Sequence, residues 1–233
     1  METPSYGLAH LWAQADPVIA VTGLLLLLMS VASWATLLTK ALRLTRLKKA
    51  VNSAAAELDA SVSSGLQALA AIGGDSPHHQ LLMRAQQARH GDAKSLEART
   101  ASQLKRGLGR IRAELEQGLT LLASVGATAP FIGLFGTVWG IYHALVQIGL
   151  TGQASLDSVA GPVGEALIMT AFGLAVAIPA VLAYNAFTRM QRVIMSELND
   201  FAELLLAHGA PAVSVAPPEA AVHSALQPAG ETI

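Results

Sequence analysis

A single carboxylate stands in an otherwise apolar stretch of this 233-residue sequence. The stretch VAGPVGEALIMTAFGLAVAIPA, residues 159–180, has Glu165 as its only ionisable side chain and Thr170 five residues later. An ionised acid at the centre of a bilayer costs about 2.5–3.5 kcal/mol, so such a group normally faces a protein interior or a water-filled path, where it can carry protons. The alternative is an incidental, wetted acid, because Glu165 lies only about 9 Å along a helix from Val159.

Two threonine hydroxyls, those of Thr137 and Thr170, accompany this acid in apolar surroundings. At 100° per residue, Glu165 and Thr170 are separated by roughly 140° around a helix, so they do not share a narrow face. A lumen reaching both groups would therefore need several copies of the helix. Alternatively, each hydroxyl bonds the carbonyl four residues earlier in its own helix, as buried threonines commonly do. Both interpretations remain open from the sequence.

The composition indicates that these groups lie in a membrane. The chain is 52% hydrophobic and 13% charged, with a mean hydropathy of +0.46, which is more apolar than a water-soluble domain of this length. Three segments can each cross a hydrocarbon core of about 30 Å as a helix. We predict an all-α membrane protein with transmembrane helices at residues 17–39, 118–150 and 159–187.

The distribution of basic residues predicts the orientation of the chain. Thirteen of the fifteen Lys and Arg residues lie between Lys40 and Arg112, and the other two are Arg189 and Arg192. Because basic residues stay on the cytoplasmic side, the N-terminus should lie outside and the C-terminus inside. No basic residue precedes the first apolar segment, so we interpret it as an uncleaved anchor. The remaining predicted segments are an outer N-terminus 1–16, a cytoplasmic helical loop 40–117, an outer loop 151–158, a cytoplasmic helix 188–208 and a disordered tail 209–233.

Helical stripes of apolar residues continue the predicted spans into the cytoplasm. The turn sequences GGDSP, residues 73–77, and HGDA, residues 90–93, should interrupt them. The stripe following the first span is Leu44, Leu47, Val51, Ala54, Leu58, Val62, Leu66 and Leu69. The stripe running into the second span is Leu104, Leu108, Ile111, Leu115 and Leu119. The stripe following the third span is Val193, Ile194, Leu198, Phe201 and Leu205.

Small residues at helical spacing mark the second and third spans as packing helices. On the second span they are Gly126, Ala129, Gly133, Gly136, Gly140 and Ala144, and on the third they are Ala166, Thr170, Gly173, Ala177 and Ala180. We expect a ring-like oligomer from these stripes, and kinks at Pro130 and Pro179. The Leu-rich run 24–28 predicts a peripheral first span that faces lipid on most sides, so trimming Leu26 should be milder than enlarging a stripe glycine.

Some classes of function are excluded. The sequence has no Cys, which removes disulfides and thiolate metal sites, and its net charge of −1 gives no sign of a nucleic-acid partner. An intramembrane protease would need a nucleophile with a base or paired aspartates, but Glu165 is the only acid within the predicted spans. We therefore expect neither an enzyme nor a bound metal or cofactor.

Two long motifs resemble a known family. ATAPFIGLFGTVWGIYHAL, residues 127–145, and AGPVGEALIMTAFGLAVAIPAVLAYN, residues 160–185, are similar to the second and third spans of the MotA/TolQ/ExbB proton-channel family. The resemblance implies a homopentamer in the bacterial inner membrane, with a periplasmic N-terminus and a cytoplasmic C-terminus. It also implies that the pentamer encloses ExbD-like helices and acts with a TonB-like protein, so that proton flow drives uptake across the outer membrane.

The resemblance also assigns roles to individual residues. It implies that Thr137 and Thr170 line the lumen of the pentamer and that Glu165 is the intramembrane carboxylate near that path. The ATAPF and YHAL segments depart from the TolQ pattern, which weighs against a TolQ-like subunit of the Tol-Pal envelope system without excluding it. A passive scaffold for partner helices would show the same small-residue stripes. In a scaffold, Glu165 and the threonines would point into helix contacts instead of a shared lumen.

Overall fold

The computed structural model describes residues 17–60, 66, 76–88, 96–151 and 156–208. These residues form α-helices and no strand, as the all-α prediction requires. Three of the helices are long and apolar enough to cross a membrane. The expectations for the N-terminus 1–16, the HGDA turn and the tail 209–233 concern residues outside those described. The helices are α1 Pro17–Ala60, α2 Pro77–Gln87, α3 Leu96–Glu116, α4 Leu119–Thr151 and α5 Leu156–His208.

The chain divides into two compact units, which we describe separately. The first comprises residues 1–49 and 112–195, and the second comprises residues 50–111 and 196–233. The long helices α1 and α5 each contribute to both units. Helix α1 runs without interruption to Ala60, as the apolar stripe after the first span predicted. Helix α5 begins at Leu156, inside the segment predicted as the outer loop, and continues through Pro162 and Pro179.

In the first unit, α4 packs antiparallel to α5 through the small-residue stripes. Gly126 lies against Val181, Gly133 against Gly173, and Gly140 against Ala166, so residue numbers rise on one helix as they fall on the other. The stripes therefore meet each other inside one chain. We expected a ring-like oligomer partly because these stripes need a partner helix. The two stripes are already partners within the chain, so they no longer support that expectation.

Helix α1 packs along α4 at the level of Gly136 and Gly140. A Cβ atom built on Gly136 would lie 3.2 Å from Thr22 Oγ1, and one on Gly140 would lie 3.3 Å from Ile19 Cδ1. Four of the five leucines in the run 24–28 are exposed by 43–58%, as a lipid-facing helix predicts. Leu26 is the exception, since it is fully buried, and the expectation that trimming Leu26 is mild was wrong.

The junction between α3 and α4 departs from the sequence prediction. The stripe ending at Leu119 predicted one helix running into the second span, but the chain turns at Gln117–Gly118, where Gly118 has a φ of +80°. This left-handed conformation suits glycine and ends α3. The buried Lys40 of α1 donates from Nζ to the carbonyl oxygens of Leu115 and Gln117, both at 2.5 Å. Lys40 thus satisfies carbonyls that α3 leaves free at its C-terminus.

The second unit is a small bundle in which α2 contacts both α3 and the end of α5. Ser76 caps α2, because its hydroxyl accepts a hydrogen bond from the His79 amide, in keeping with the break predicted at GGDSP. A Cβ atom built on Gly107 of α3 would lie 2.9 Å from Leu81 Cδ2. The predicted stripe of α5 is largely buried, although Val193 is 41% exposed and does not belong to it. Its buried members are Ile194, Leu198, Phe201 and Leu205.

A buried histidine joins α2 to α5 in this bundle. The His78 ring packs edge-on against Phe201 with a centroid distance of 4.7 Å, and the residue is only 2% exposed. Burial lowers the pKa of His78 from 6.5 to about 4, because the charged imidazolium would lose its hydration. Between these two values the unfolded chain binds a proton that the folded chain does not.

Stability of the second unit should therefore fall as the pH drops from about 6.5 towards 4. For His78 alone, we expect a loss of about 2 kcal/mol between pH 8 and pH 5. Circular dichroism of thermal unfolding in detergent at both pH values measures it. His78→Leu should remove this part of the pH dependence, whereas the exposed His208→Leu should retain it. An unchanged pH dependence in His78→Leu would contradict the assignment.

Candidate functional site

The two threonines singled out by the sequence touch each other across α4 and α5. Thr137 Oγ1 lies 2.5 Å from Thr170 Oγ1, and Thr137 is 7% exposed. The Thr137 hydroxyl also lies 3.2 Å from the Gly133 carbonyl of its own helix and 3.0 Å from the Ala166 carbonyl of α5. One interpretation of the sequence, a bond to the carbonyl four residues earlier, is therefore present for Thr137. The hydroxyl pair also connects the two spans, which neither interpretation anticipated.

The close approach of the helices brings these hydroxyls together. A Cβ atom on Gly133 would lie 2.6 Å from the Met169 carbonyl oxygen, and one on Gly173 would lie 2.6 Å from the Ala129 carbonyl oxygen. A side chain larger than hydrogen would push the two backbones apart at this level. The glycines on both sides of the contact thus fix the distance at which a threonine of α4 reaches a carbonyl of α5.

Glu165 directly precedes Ala166, a residue that takes part in this polar contact. Its neighbour Ala166 is fully buried against Gly140 and supplies the carbonyl that Thr137 approaches. Glu165 itself is turned roughly 100° from Ala166 around α5 and is partly exposed. Within the described residues it forms no ion pair and no side-chain hydrogen bond. The structure therefore places the carboxylate at the flank of the packed contact, where a group from another chain could reach it.

Polar side chains are missing from α5 for several turns after Thr170. On α5, no polar side chain occurs between Thr170 and Tyr184, a distance of about 21 Å along the helix. On α4, Thr128 is the next hydroxyl, and it bonds back to the Ser124 carbonyl at 2.8 Å. The side chains of α5 therefore cannot relay a proton along the full length of its span.

A cavity of about 520 Å³ lies at the opposite end of the same two helices, and the sequence analysis did not identify it. Arg112 and Arg192 both line this cavity, although they belong to the two separate groups of basic residues in the sequence. The hydroxyl of Thr188 is buried there without a hydrogen-bond partner in the described structure. The sequence feature that could have predicted this cavity is the recurrence of polar residues every four positions in both segments. The other lining residues are Glu116, Leu119, Thr120, Ala123, Tyr184, Gln191 and Met195.

No metal centre is formed by the residues described. Among them, no three His, Cys, Asp or Glu side chains are close enough together to hold an ion.

The fold and this site define a class of protein. It is an all-α membrane protein with a single intramembrane carboxylate beside a tightly packed helix pair. Residues 74–200 match the profile of the MotA/TolQ/ExbB proton channel family, which covers both packed spans and Glu165. The chain belongs to this family. The resemblance of the two span motifs is thereby confirmed.

Named relatives agree with the profile. The biopolymer transport protein ExbB of Neisseria meningitidis serogroup A is 40% identical over 199 residues, which cover 80% of this chain and 90% of that protein. The ExbB of Xanthomonas campestris pv. campestris is 42% identical over 191 residues, 76% of each chain. The ExbB of Salmonella typhimurium is 34% identical over 203 residues, 84% of this chain and 83% of that protein. The similarity therefore extends over most of the sequence.

Proposed function

We propose that this chain is the ExbB-type subunit of a proton-driven motor in the bacterial inner membrane. Five copies form a ring around helices of an ExbD-like partner, and a TonB-like protein carries the resulting work to outer-membrane transporters. The transported substrates are of the iron-siderophore, haem and vitamin B12 type. The family match and the ExbB relatives support this assignment over a TolQ-like role in the Tol-Pal system.

The observation that carries the proposal is the isolation of Glu165. Beyond Thr170, α5 has no polar side chain for about 21 Å, as far as Tyr184. A proton that reaches Glu165 therefore cannot continue along the side chains of α5. A partner helix in the lumen can supply the next proton-binding group, which explains why the motor requires a second kind of subunit.

The available energy is sufficient to make such a transfer useful. One elementary charge crossing a membrane potential of 100 mV releases about 2.3 kcal/mol. In the proposed orientation, protons enter from the periplasmic end near Glu165 and leave at the end where the basic residues collect. The cavity shared by Arg112 and Arg192, together with Lys40 at the α3 terminus, supports placing that end in the cytoplasm.

The contact between Thr137 and Thr170 favours a scaffold as the second candidate function. Both hydroxyls take part in a helix contact within the chain, which is what a scaffold predicts for them. In the proposed motor, the same pair lines the lumen at the edge of that contact. Glu165 distinguishes the two candidate functions. It forms no bond in the described structure, so a scaffold would not need this acid, whereas a proton-driven motor would.

Complementation tests the proposal. A bacterium that lacks its own ExbB, ExbD and TonB is supplied with this chain and the ExbD-like and TonB-like proteins of the same source. Growth on a siderophore as the only iron source should be restored, and it should be abolished by a protonophore. The Tol-Pal system is scored separately as resistance to detergent. Restored detergent resistance without siderophore uptake would refute the ExbB-type assignment in favour of a TolQ-like one.

A further inference from the structure

Helix α3 carries a basic stripe in the second unit. Arg99, Arg106 and Arg110 recur at intervals of seven and four residues, so they share one flank of the helix. Arg84 of α2 joins them, because a Cβ atom on Gly107 would lie only 2.8 Å from Arg84 Cδ. Arg84 and Arg110 line an open depression of about 450 Å³. Arg99 is half-buried and donates to the Ala88 carbonyl at 3.2 Å, so we call Arg84, Arg106 and Arg110 the basic face.

The end of α5 carries the opposite charge. Glu197, Asp200 and Glu203 recur at three-residue spacing, and no Lys or Arg follows Arg192 in the sequence. Asp200 and Glu203 are exposed, whereas the apolar residues between them are buried in the bundle. Glu197 is only partly exposed and its Oε2 is buried, so we call Asp200 and Glu203 the acidic face.

The two faces do not neutralise each other within the chain. Among the described residues, no ion pair joins α3 to the end of α5. Helix α2 contacts α3 through Leu81 and α5 through His78. Each face is thus left available at the surface of the same unit.

We propose that the basic face of one copy binds the acidic face of the next copy in the ring. An interface between two different surfaces of one chain is head-to-tail, and its repetition gives a ring of more than two subunits when the rotation between neighbouring copies closes. Charge complementarity fixes the partner and the direction of assembly even where each exposed pair contributes little energy. This inference rests on the proposed function, which requires a ring.

Disulfide trapping tests the contact directly, because the chain has no cysteine of its own. One tagged copy carries Arg106→Cys or Arg110→Cys, and a copy with a different tag carries Asp200→Cys or Glu203→Cys. After coexpression and oxidation in membranes, we expect a disulfide-linked pair bearing both tags. Lys105→Cys is the matched control, since Lys105 is exposed on α3 but turned roughly 140° from Arg110. Equal trapping from Lys105→Cys, or no trapping from any arginine position, would overturn the inference.

Charge reversal provides an independent measurement. Arg106→Glu combined with Arg110→Glu should weaken each interface by roughly tenfold, and adding Asp200→Lys with Glu203→Lys should restore it. Native mass spectrometry in detergent gives the oligomer distribution. A parental protein that is only monomeric would refute the ring and this contact together. An intact ring that loses an acidic partner protein on charge reversal would refute the contact alone, because the basic face would then serve that partner.

Discussion

Glu165→Gln is expected to abolish energised uptake without changing the protein level or the oligomer size. Glutamine keeps the shape of the side chain and its capacity for hydrogen bonds but cannot ionise. Glu165 forms no ion pair or side-chain hydrogen bond in the described structure, so folding has little to lose from the change. Proton transfer loses its carrier in the span. Siderophore uptake by intact cells should fall to the level of cells that lack the protein.

Matched variants separate this role from an incidental acid. Glu165→Asp keeps the charge and should retain part of the uptake, whereas Glu165→Ala should behave like the glutamine variant. Thr170→Val removes a hydroxyl at nearly constant size and tests the neighbouring contact in the same assay. Near-parental uptake in Glu165→Gln at normal protein levels would show that the acid is merely wetted. Full uptake in Thr170→Val as well would favour the scaffold.

The sequence predicted the spans because the length and composition of a membrane helix leave few alternatives. The Leu-rich run indicated the lipid-facing side of α1, but it could not show that Leu26 is buried while its neighbours are not. Position on a helix face depends on the rotation of α1 against α4, which tertiary packing sets. The turn at Gly118 could not be predicted for a similar reason, because the spacing of apolar residues continues unchanged across a short break in the helix.

The chemistry of the site was predictable to the level of residue types. An acid and two threonines within apolar segments were sufficient to select Glu165, Thr137 and Thr170. Their relation was not predictable, because the 2.5 Å contact between the hydroxyls depends on how α4 and α5 are aligned along their length. Periodicity identifies the faces of the two helices, and the alignment comes from backbone contact at Gly133 and Gly173.

Enlarging a stripe glycine is expected to have a large effect on folding. In Gly173→Leu, even the Cβ atom would lie 2.6 Å from the Ala129 carbonyl oxygen and 3.1 Å from Gly133 Cα. Both are backbone atoms, so no side chain can rotate away, and the helices must separate. The Thr137–Thr170 contact would be lost with them. Overpacking typically costs about 1–3 kcal/mol, and we expect Gly173→Leu to reach or exceed the upper end.

The structure also predicts how Gly173→Leu fails. Because the contact lies within one chain, the variant should yield little folded protein of any size, instead of stable monomers. Gly161→Leu is the matched control on the same helix, since no atom lies within 4 Å of a Cβ built there. Leu26→Ala should also destabilise the protein, by about 2–5 kcal/mol, because it empties a buried site. Size-exclusion chromatography and thermal unfolding in detergent measure all three variants. A helical, folded Gly173→Leu monomer would show that this glycine packs between copies instead.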